Sequence, residues 1–148
     1  MRAEQTALPL LARATFAAVT TTPCAARSFV RDTARAWSLD SLAESAELVV
    51  SELVTNAVKA TRSSARRRGD LHDLTPVSIE LHLDDALFRI GVRDSSVEQP
   101  VLQTADDDAE TGRGLLLVEA LSVRWDAFLV ADGKVTWAEL AVPAPEHT

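Results

Sequence analysis

The sequence predicts a two-layer α+β sandwich, in which a mostly antiparallel sheet is covered on one face by about three helices. Apolar residues recur at helical spacing between residues 23 and 62, whereas most of the chain after residue 76 alternates with a period of two. Two pairs of alternating segments are separated by short turns, Asp84-Asp85 and Asp132-Gly133, which predicts two hairpins. Because hairpins pair their strands antiparallel, helices covering one face of the sheet would complete a two-layer fold.

Length and composition indicate one acidic domain. The chain has 148 residues, of which 47% are hydrophobic, and a formal net charge of −7. We expect a folded domain over residues 9–142, a flexible start over 1–8 and a flexible tail over 143–148. The acidic balance argues against a nucleic-acid or anionic-membrane binder. Cys24 is the only cysteine, which excludes an intrachain disulfide, and no signal peptide or membrane span is predicted, so we expect a cytoplasmic protein.

The first elements are a weak strand and two helices. Residues 9–20 have weak strand character, and Thr22-Pro23 predicts an N-cap followed by a helix over 23–37. Ser41 and Glu44 have the spacing of a capping box, which predicts the longest helix over residues 41–62. The predicted buried stripe of that helix consists of Ala46, Val50, Leu53 and Ala57.

A polar segment over residues 63–75 follows and is predicted to be an exposed loop. Its arginine cluster Arg66-Arg67-Arg68 could dock an acidic partner, although a solvated loop is the simpler interpretation.

The remaining chain alternates between strands and one further helix. Alternating apolar residues predict strands over 77–83 and 88–92, and again over 123–130 and 135–142. Residues 95–113 lack a period and are acidic, which predicts a long loop, and long loops in compact domains are often functional. A short helix over 114–121 follows this loop.

One group of candidate functional residues lies on the longest helix. Glu52, Asn56 and Lys59 fall within an arc of about 60° beside the apolar stripe. A solvated helix face is the alternative interpretation for these three residues taken alone. Asp94 ends the second strand of the first hairpin, and period two points it to the same face as the apolar side chains. A carboxylate buried there needs a hydrogen-bond donor, which an adenine amino group or a backbone amide could supply.

A second group surrounds the start of the predicted short helix. Gly112-Arg113-Gly114 lies at the N-terminus of this helix, where glycines let the backbone approach a phosphate and helix amides attract anions. The long loop directly before it is placed to act as a lid over a ligand. Each of these features taken alone is weak evidence for a binding site, because turns commonly contain glycine.

In this order, the features resemble the boxes of the GHKL superfamily of ATPases, which includes DNA gyrase, histidine kinases and MutL. Glu52-x-x-x-Asn56-Ala57 is similar to the N box, and Asp94-Ser95-Ser96 to the first glycine box. Gly112-Arg113-Gly114-Leu115 resembles the second glycine box. The last strand, beginning at Gly133, is similar to that of the small stand-alone members, the bacterial anti-sigma factors with serine/threonine kinase activity. The resemblance covers roughly residues 10–142 and implies the Bergerat, or histidine kinase-like ATPase, fold.

The resemblance implies ATP and Mg²⁺ as cofactors and assigns a role to each matched residue. Asn56 would coordinate Mg²⁺, Glu52 would be the general base, and Lys59 would contact phosphate. Asp94 would accept a hydrogen bond from the adenine amino group. The remaining nucleotide-binding positions would be Ser96, Gly112, Arg113, Gly114 and Leu115. Ser96 departs from the pattern, because the family usually has glycine at this position.

Two functions follow from the resemblance. The first is an anti-sigma factor serine/threonine kinase that phosphorylates a protein antagonist and sequesters a sigma factor. Such a protein could form a homodimer. The second is a catalytically weak, nucleotide-gated protein-binding module, an alternative that Ser96 keeps open. A purely structural α+β domain would require all the ordered motif matches to be coincidental.

Overall fold

The computed structural model of the protein describes residues 10–69, 75–96 and 109–143. Within these residues it contains five strands and three α-helices. In chain order they are β1 (Leu10–Phe16), α1 (Thr22–Ala36), α2 (Ala43–Arg68), β2 (Val77–Leu83), β3 (Leu87–Asp94), α3 (Ala109–Leu121), β4 (Arg124–Val130) and β5 (Gly133–Ala141). A single turn of 3-10 helix, Asp40–Leu42, directly precedes α2.

The five strands form one antiparallel sheet in the order β1-β2-β3-β5-β4. Both predicted hairpins are present, β2-β3 and β4-β5, and β3 joins them by pairing with β5. The pairing of β3 with β5 places Asp94 directly opposite Lys134. This register brings the end of the first hairpin to the start of the last strand.

The helices cover one face of this sheet, which confirms the predicted α+β sandwich. Alternate residues of β2 and β3 are fully buried on that face, while Ser78, Glu80 and His82 on the other face are only partly buried. Helices α1 and α2 pack against each other, and α2 also packs on β3 and α3. All four residues of the predicted α2 stripe are at most 3% exposed: Ala46, Val50, Leu53 and Ala57. The core therefore lies between α2 and the central strands.

The predicted N-cap of α1 was wrong by one residue. Thr21 is the N-cap, and Thr22 is already helical and buried. The Thr22 hydroxyl donates to the Ala17 carbonyl and accepts a hydrogen bond from the Val19 amide at 3.3 Å. Because this hydroxyl fastens the β1–α1 connection, it does not cap the first turn of the helix.

The predicted limits of α2 also need correction. Ser41 lies in the 3-10 turn, and the N-cap is Leu42, which makes no side-chain capping bond, so the capping box is absent. The helix runs on to Arg68 and ends at Gly69, which has a left-handed φ of 71°. The predicted loop over 63–75 is thus helical as far as Arg68. Thr61 and Ala65 extend the buried stripe at four-residue spacing, so this polar segment still packs one face.

Helix α3 begins at Ala109, five residues before the predicted start at Gly114. Glycine is tolerated inside a helix at a cost of about 1 kcal/mol, so a glycine pair does not have to mark a helix start. The predicted flexible start 1–8 lies outside the described residues. So do residues 97–108 of the predicted lid and all but the first residue of the tail 143–148.

Candidate functional site

The sheet contributes a buried carboxylate to the site. Asp94 is the last residue of β3 and faces the helices together with Ile90 and Val92, as strand alternation predicted. It is only 3% exposed. Its Oδ1 accepts a hydrogen bond of 2.7 Å from the Ser96 backbone amide, and its Oδ2 lies 2.9 Å from Nζ of Lys134. Asp94 is thus a fixed acceptor at the boundary between the two layers.

Two opposing effects act on the charge of this carboxylate. Burial raises the pKa of the Asp94 carboxyl above its usual range, because desolvation disfavours the charged form. The Lys134 ammonium and the Ser96 amide lower the pKa of the same carboxyl, since both interact best with an anion. The ion pair with Lys134 therefore offsets part of the cost of burying the Asp94 charge.

Lys134 is a residue that the sequence analysis missed. It is 5% exposed and lies on the helix-covered face of β5 together with Thr136, Ala138 and Leu140. The period-two alternation that placed Asp94 inside would have placed Lys134 inside as well. What the sequence could not supply was the β3–β5 register that makes the two residues cross-strand neighbours.

The backbone of β5 begins in direct contact with the end of β3. A Cβ built on Gly133 would lie 1.9 Å from the Asp94 carbonyl oxygen. Only glycine allows the two strands to approach this closely. The predicted turn glycine thus has a second role, which is to bring Lys134 beside Asp94.

Helix α2 contributes the second part of the site, here named the α2 polar strip: Glu52, Asn56 and Lys59. Glu52 and Asn56 are partly buried and Lys59 is exposed, so the strip runs from the interior to the surface. The Nδ2 atom of Asn56 is buried and has no hydrogen-bond partner among the described residues. Buried amide groups are seldom left unpaired in proteins, and an unpaired one needs an explanation. A ligand oxygen would supply the missing acceptor.

Helix α3 closes on the inner end of this strip. A Cβ built on Gly114 would lie 2.2 Å from Oε1 of Glu52, so the glycine lets the α3 backbone reach the carboxylate. The structure therefore brings the predicted N box and second glycine box into contact. Leu115 is fully buried.

The prediction that the helix starts on the turn Gly112-Arg113-Gly114 was wrong, because all three residues lie within α3. Glycines in the first turns of a helix leave its backbone accessible without marking its start. The side chain of Arg113 lies outside the described part of the chain. Ser96 is fully buried, and its amide holds Asp94.

The chemistry of these groups fits a magnesium nucleotide. The described residues contain no group of three or more His, Cys, Asp or Glu side chains that could hold a metal ion. Mg²⁺ seldom needs so many protein ligands, because it keeps bound waters and is also coordinated by oxygen atoms of substrate phosphates. Asn56 would offer its amide oxygen to the ion, and its unpaired Nδ2 would donate to a water that the ion keeps. None of the helices in the described ranges is long and apolar enough to cross a membrane.

Comparison with known proteins supports the same assignment. A search of curated proteins finds no significant match. The family model for the histidine kinase-like ATPase domain matches residues 16–139, which includes Glu52, Asn56, Asp94, Gly114 and Lys134. This match spans most of the chain and both layers of the sandwich. The chain therefore belongs to the histidine kinase-like ATPase domains of the GHKL superfamily, which are ATP-binding domains.

Proposed function

We propose that this protein is a Mg·ATP-dependent serine/threonine kinase of the anti-sigma factor type, with a protein antagonist as its substrate. A sigma factor would be its second partner. The observation that carries the proposal is the contact between Glu52 and Gly114, which holds a carboxylate where α2 and α3 meet. A domain that only senses ATP has no need of a base at this position.

Each residue then has a defined task. Asp94 accepts a hydrogen bond from the adenine amino group, and Lys59 contacts phosphate. Asn56 holds Mg²⁺ through its amide oxygen. When bound, Mg²⁺ would supply positive charge that offsets the negative charge of the phosphates during transfer.

Glu52 takes part in the chemical step. The oxygen of a serine or threonine hydroxyl attacks the γ-phosphorus, and Glu52 accepts the proton of that hydroxyl. The bond between the γ-phosphorus and the β–γ bridging oxygen breaks, and ADP leaves. Glu52 then releases the proton to solvent.

Nucleotide binding is tested first, by thermal unfolding with and without Mg·ATP. Ligand at about 100 times its dissociation constant stabilises the folded state by about 2.7 kcal/mol. For a chain of this length we expect a rise in Tm of about 5 to 10 °C. An unchanged Tm at millimolar Mg·ATP would contradict the assignment of the site.

Catalysis is tested with Glu52→Gln, which keeps the shape of the side chain and removes the base. We expect unchanged Mg·ATP binding and a loss of phosphoryl transfer of about 10² to 10⁴-fold. Transfer is measured with γ-labelled ATP, using a partner isolated from the native cell as acceptor. Glu44→Gln is the matched control, because Glu44 is an exposed residue in the first turn of the same helix. Equal transfer by wild type and Glu52→Gln would show that Glu52 is not the base.

A nucleotide-gated binding module without catalysis is the second candidate. The fully buried Ser96 favours it, because this position is usually glycine and a side chain there restricts the space beside Asp94. This function predicts that Mg·ATP changes the affinity for the partner, while labelled phosphate never appears on it.

A further inference from the structure

The ion pair between Asp94 and Lys134 is buried inside the proposed nucleotide site. The two side chains are 2% and 6% exposed, and Nζ lies 2.9 Å from Oδ2. They are direct cross-strand partners on the face that the helices cover. Lys134 thus lies against the carboxylate that is proposed to bind the base.

The choice of lysine at this position is unusual for the chain. Of its 15 basic residues only two are lysines, Lys59 and Lys134, and both belong to the candidate site. A compact ammonium with three rotatable donors differs from the planar guanidinium used elsewhere in the chain. Burying a charged lysine is costly unless it is paired, and Asp94 provides the pair.

We infer that Lys134 is a second base-recognition residue, which orients the Asp94 carboxylate and donates a hydrogen bond to a ring nitrogen of the purine. This inference rests on the proposed role of Asp94 in binding adenine. Together the pair would offer the base one acceptor and one donor. The matching ligand is a purine that has an exocyclic amino group beside a ring nitrogen acceptor.

The alternative is that the base displaces Lys134 from Asp94. Removing one partner of a buried pair leaves an uncompensated charge, which is strongly unfavourable. Retaining the pair avoids this cost, because a carboxylate has about four acceptor positions and an ammonium has three donors. Asp94 uses one position for Ser96 and one for Lys134, so it can still accept from an amino group.

The test compares two nucleotides that differ only in the amino group, ATP and purine riboside triphosphate. Lys134→Met should weaken both by about tenfold, because both keep the ring nitrogen. Asp94→Asn should weaken ATP selectively, because purine riboside triphosphate has no amino group for Asp94 to accept from. Binding is measured by calorimetry on the full chain. If Lys134 acted only by orienting Asp94, Lys134→Met would weaken ATP and leave the binding of purine riboside triphosphate unchanged, which would overturn the inference.

Controls separate base recognition from phosphate binding and from misfolding. Lys59→Met should weaken ATP but leave adenosine binding unchanged, whereas Lys134→Met should weaken both ligands. Lys134→Arg keeps the charge and should retain part of the affinity. The double variant Asp94→Asn/Lys134→Met removes both charges and should be more stable to heat than Lys134→Met alone. If Lys134→Met unfolds, the double variant is compared with Asp94→Asn instead.

Some outcomes would overturn the inference and leave the proposed function intact. If wild type binds ATP and Lys134→Met binds it equally or more tightly, Lys134 does not recognise the base. Tighter binding would mean that Lys134 obstructs the site and must be displaced. If wild type itself binds no ATP, the proposed function fails and the inference, which rests on it, fails with it.

Discussion

At the scale of single residues, the contact between Glu52 and Gly114 links packing to chemistry. The atom nearest to a Cβ on Gly114 is the end of a flexible side chain, Oε1 of Glu52, at 2.2 Å. An alanine at this position would displace the carboxylate without moving the backbone. The fold and the function should therefore respond differently to the same substitution.

We predict that Gly114→Ala keeps or slightly raises stability while impairing activity. Alanine is favoured over glycine inside a helix by about 1 kcal/mol, which offsets the cost of moving Glu52. Phosphoryl transfer should fall at least tenfold, as measured with labelled ATP, while thermal unfolding shows a Tm near that of wild type. A large loss of Tm would show that Glu52 cannot move and that the contact is structural.

Another residue-scale network lies on the sheet face away from the helices. The Glu139 carboxylate, 6% exposed, accepts hydrogen bonds from Arg89 at 2.8 and 3.1 Å and from Arg124 at 2.6 Å. Both guanidiniums also lie near the Trp137 ring, at 4.4 and 5.6 Å from its centroid. The hydrogen bond from Arg124 is the main reason that the pKa of Glu139 lies below its usual value, and Arg89 adds to this effect.

We predict that Glu139→Gln lowers stability by about 1 to 2 kcal/mol near neutral pH, as expected for hydrogen bonds to a charged group. Because the folded-state pKa is lowered, the contribution is fully present above the unfolded value of about 4.5 and is lost as pH falls through the folded value. Denaturant unfolding of both proteins should show the difference shrinking below about pH 4.5. A difference that is constant with pH would exclude the ionic contribution.

At this scale, the sequence predicted the position of a side chain correctly where the pattern within a single strand or helix determined it. Alternation along β3 placed Asp94 inside, and helical spacing placed Glu52 and Asn56 on one strip. It missed Lys134, since the partner of Asp94 depends on the pairing of two strands 40 residues apart in the chain. Local periodicity contains no information on that register.

At the scale of elements, the order of helices and strands was predictable but the ends of the helices were not. Polar residues after residue 62 suggested a loop, yet one buried residue per turn was enough to continue α2 to Arg68. The stop signal was Gly69, whose φ of 71° suits glycine at a helix C-terminus. In α3 the glycines lie inside the helix, so glycine alone does not identify an end.

We predict that Gly69→Ala lowers stability by about 1 kcal/mol, because a left-handed φ is unfavourable for a residue with a Cβ. Apart from its chain neighbours, no described residue has an atom within 4 Å of the added Cβ, so the effect is attributed to backbone strain. Gly91→Ala is the matched control, since Gly91 lies inside β3 and, in the part of the chain that the structure describes, its added Cβ would meet only the Glu80 carbonyl, at 3.8 Å. Alanine there should be neutral or stabilising. Equal effects of the two substitutions, measured by denaturant unfolding, would contradict the strain argument.

At the scale of the whole molecule, the two layers hold different parts of the proposed ligand. In the proposed function the sheet would provide Asp94 and Lys134 for the base, and α2 would provide Asn56 and Lys59 for Mg²⁺ and phosphate. Since α2 packs directly on β3, a nucleotide placed between them would contact both layers. Binding should therefore stabilise the sandwich as a unit against unfolding.

The last prediction separates the two layers by their dependence on magnesium. Asn56→Ala should lose the additional rise in Tm that Mg²⁺ gives to ATP, but keep the rise produced by ATP in EDTA, because Asn56 acts through the metal. Asp94→Asn should reduce the rise in Tm under both conditions, because it removes the acceptor for the base. Each twofold to tenfold loss of affinity lowers the ligand stabilisation by about 0.4 to 1.4 kcal/mol at saturating ligand. Tm is measured for wild type and both variants without ligand, so that a change in intrinsic stability is subtracted. If Asn56→Ala weakens ATP equally with and without Mg²⁺, then Asn56 binds phosphate directly and its role as a metal ligand is wrong.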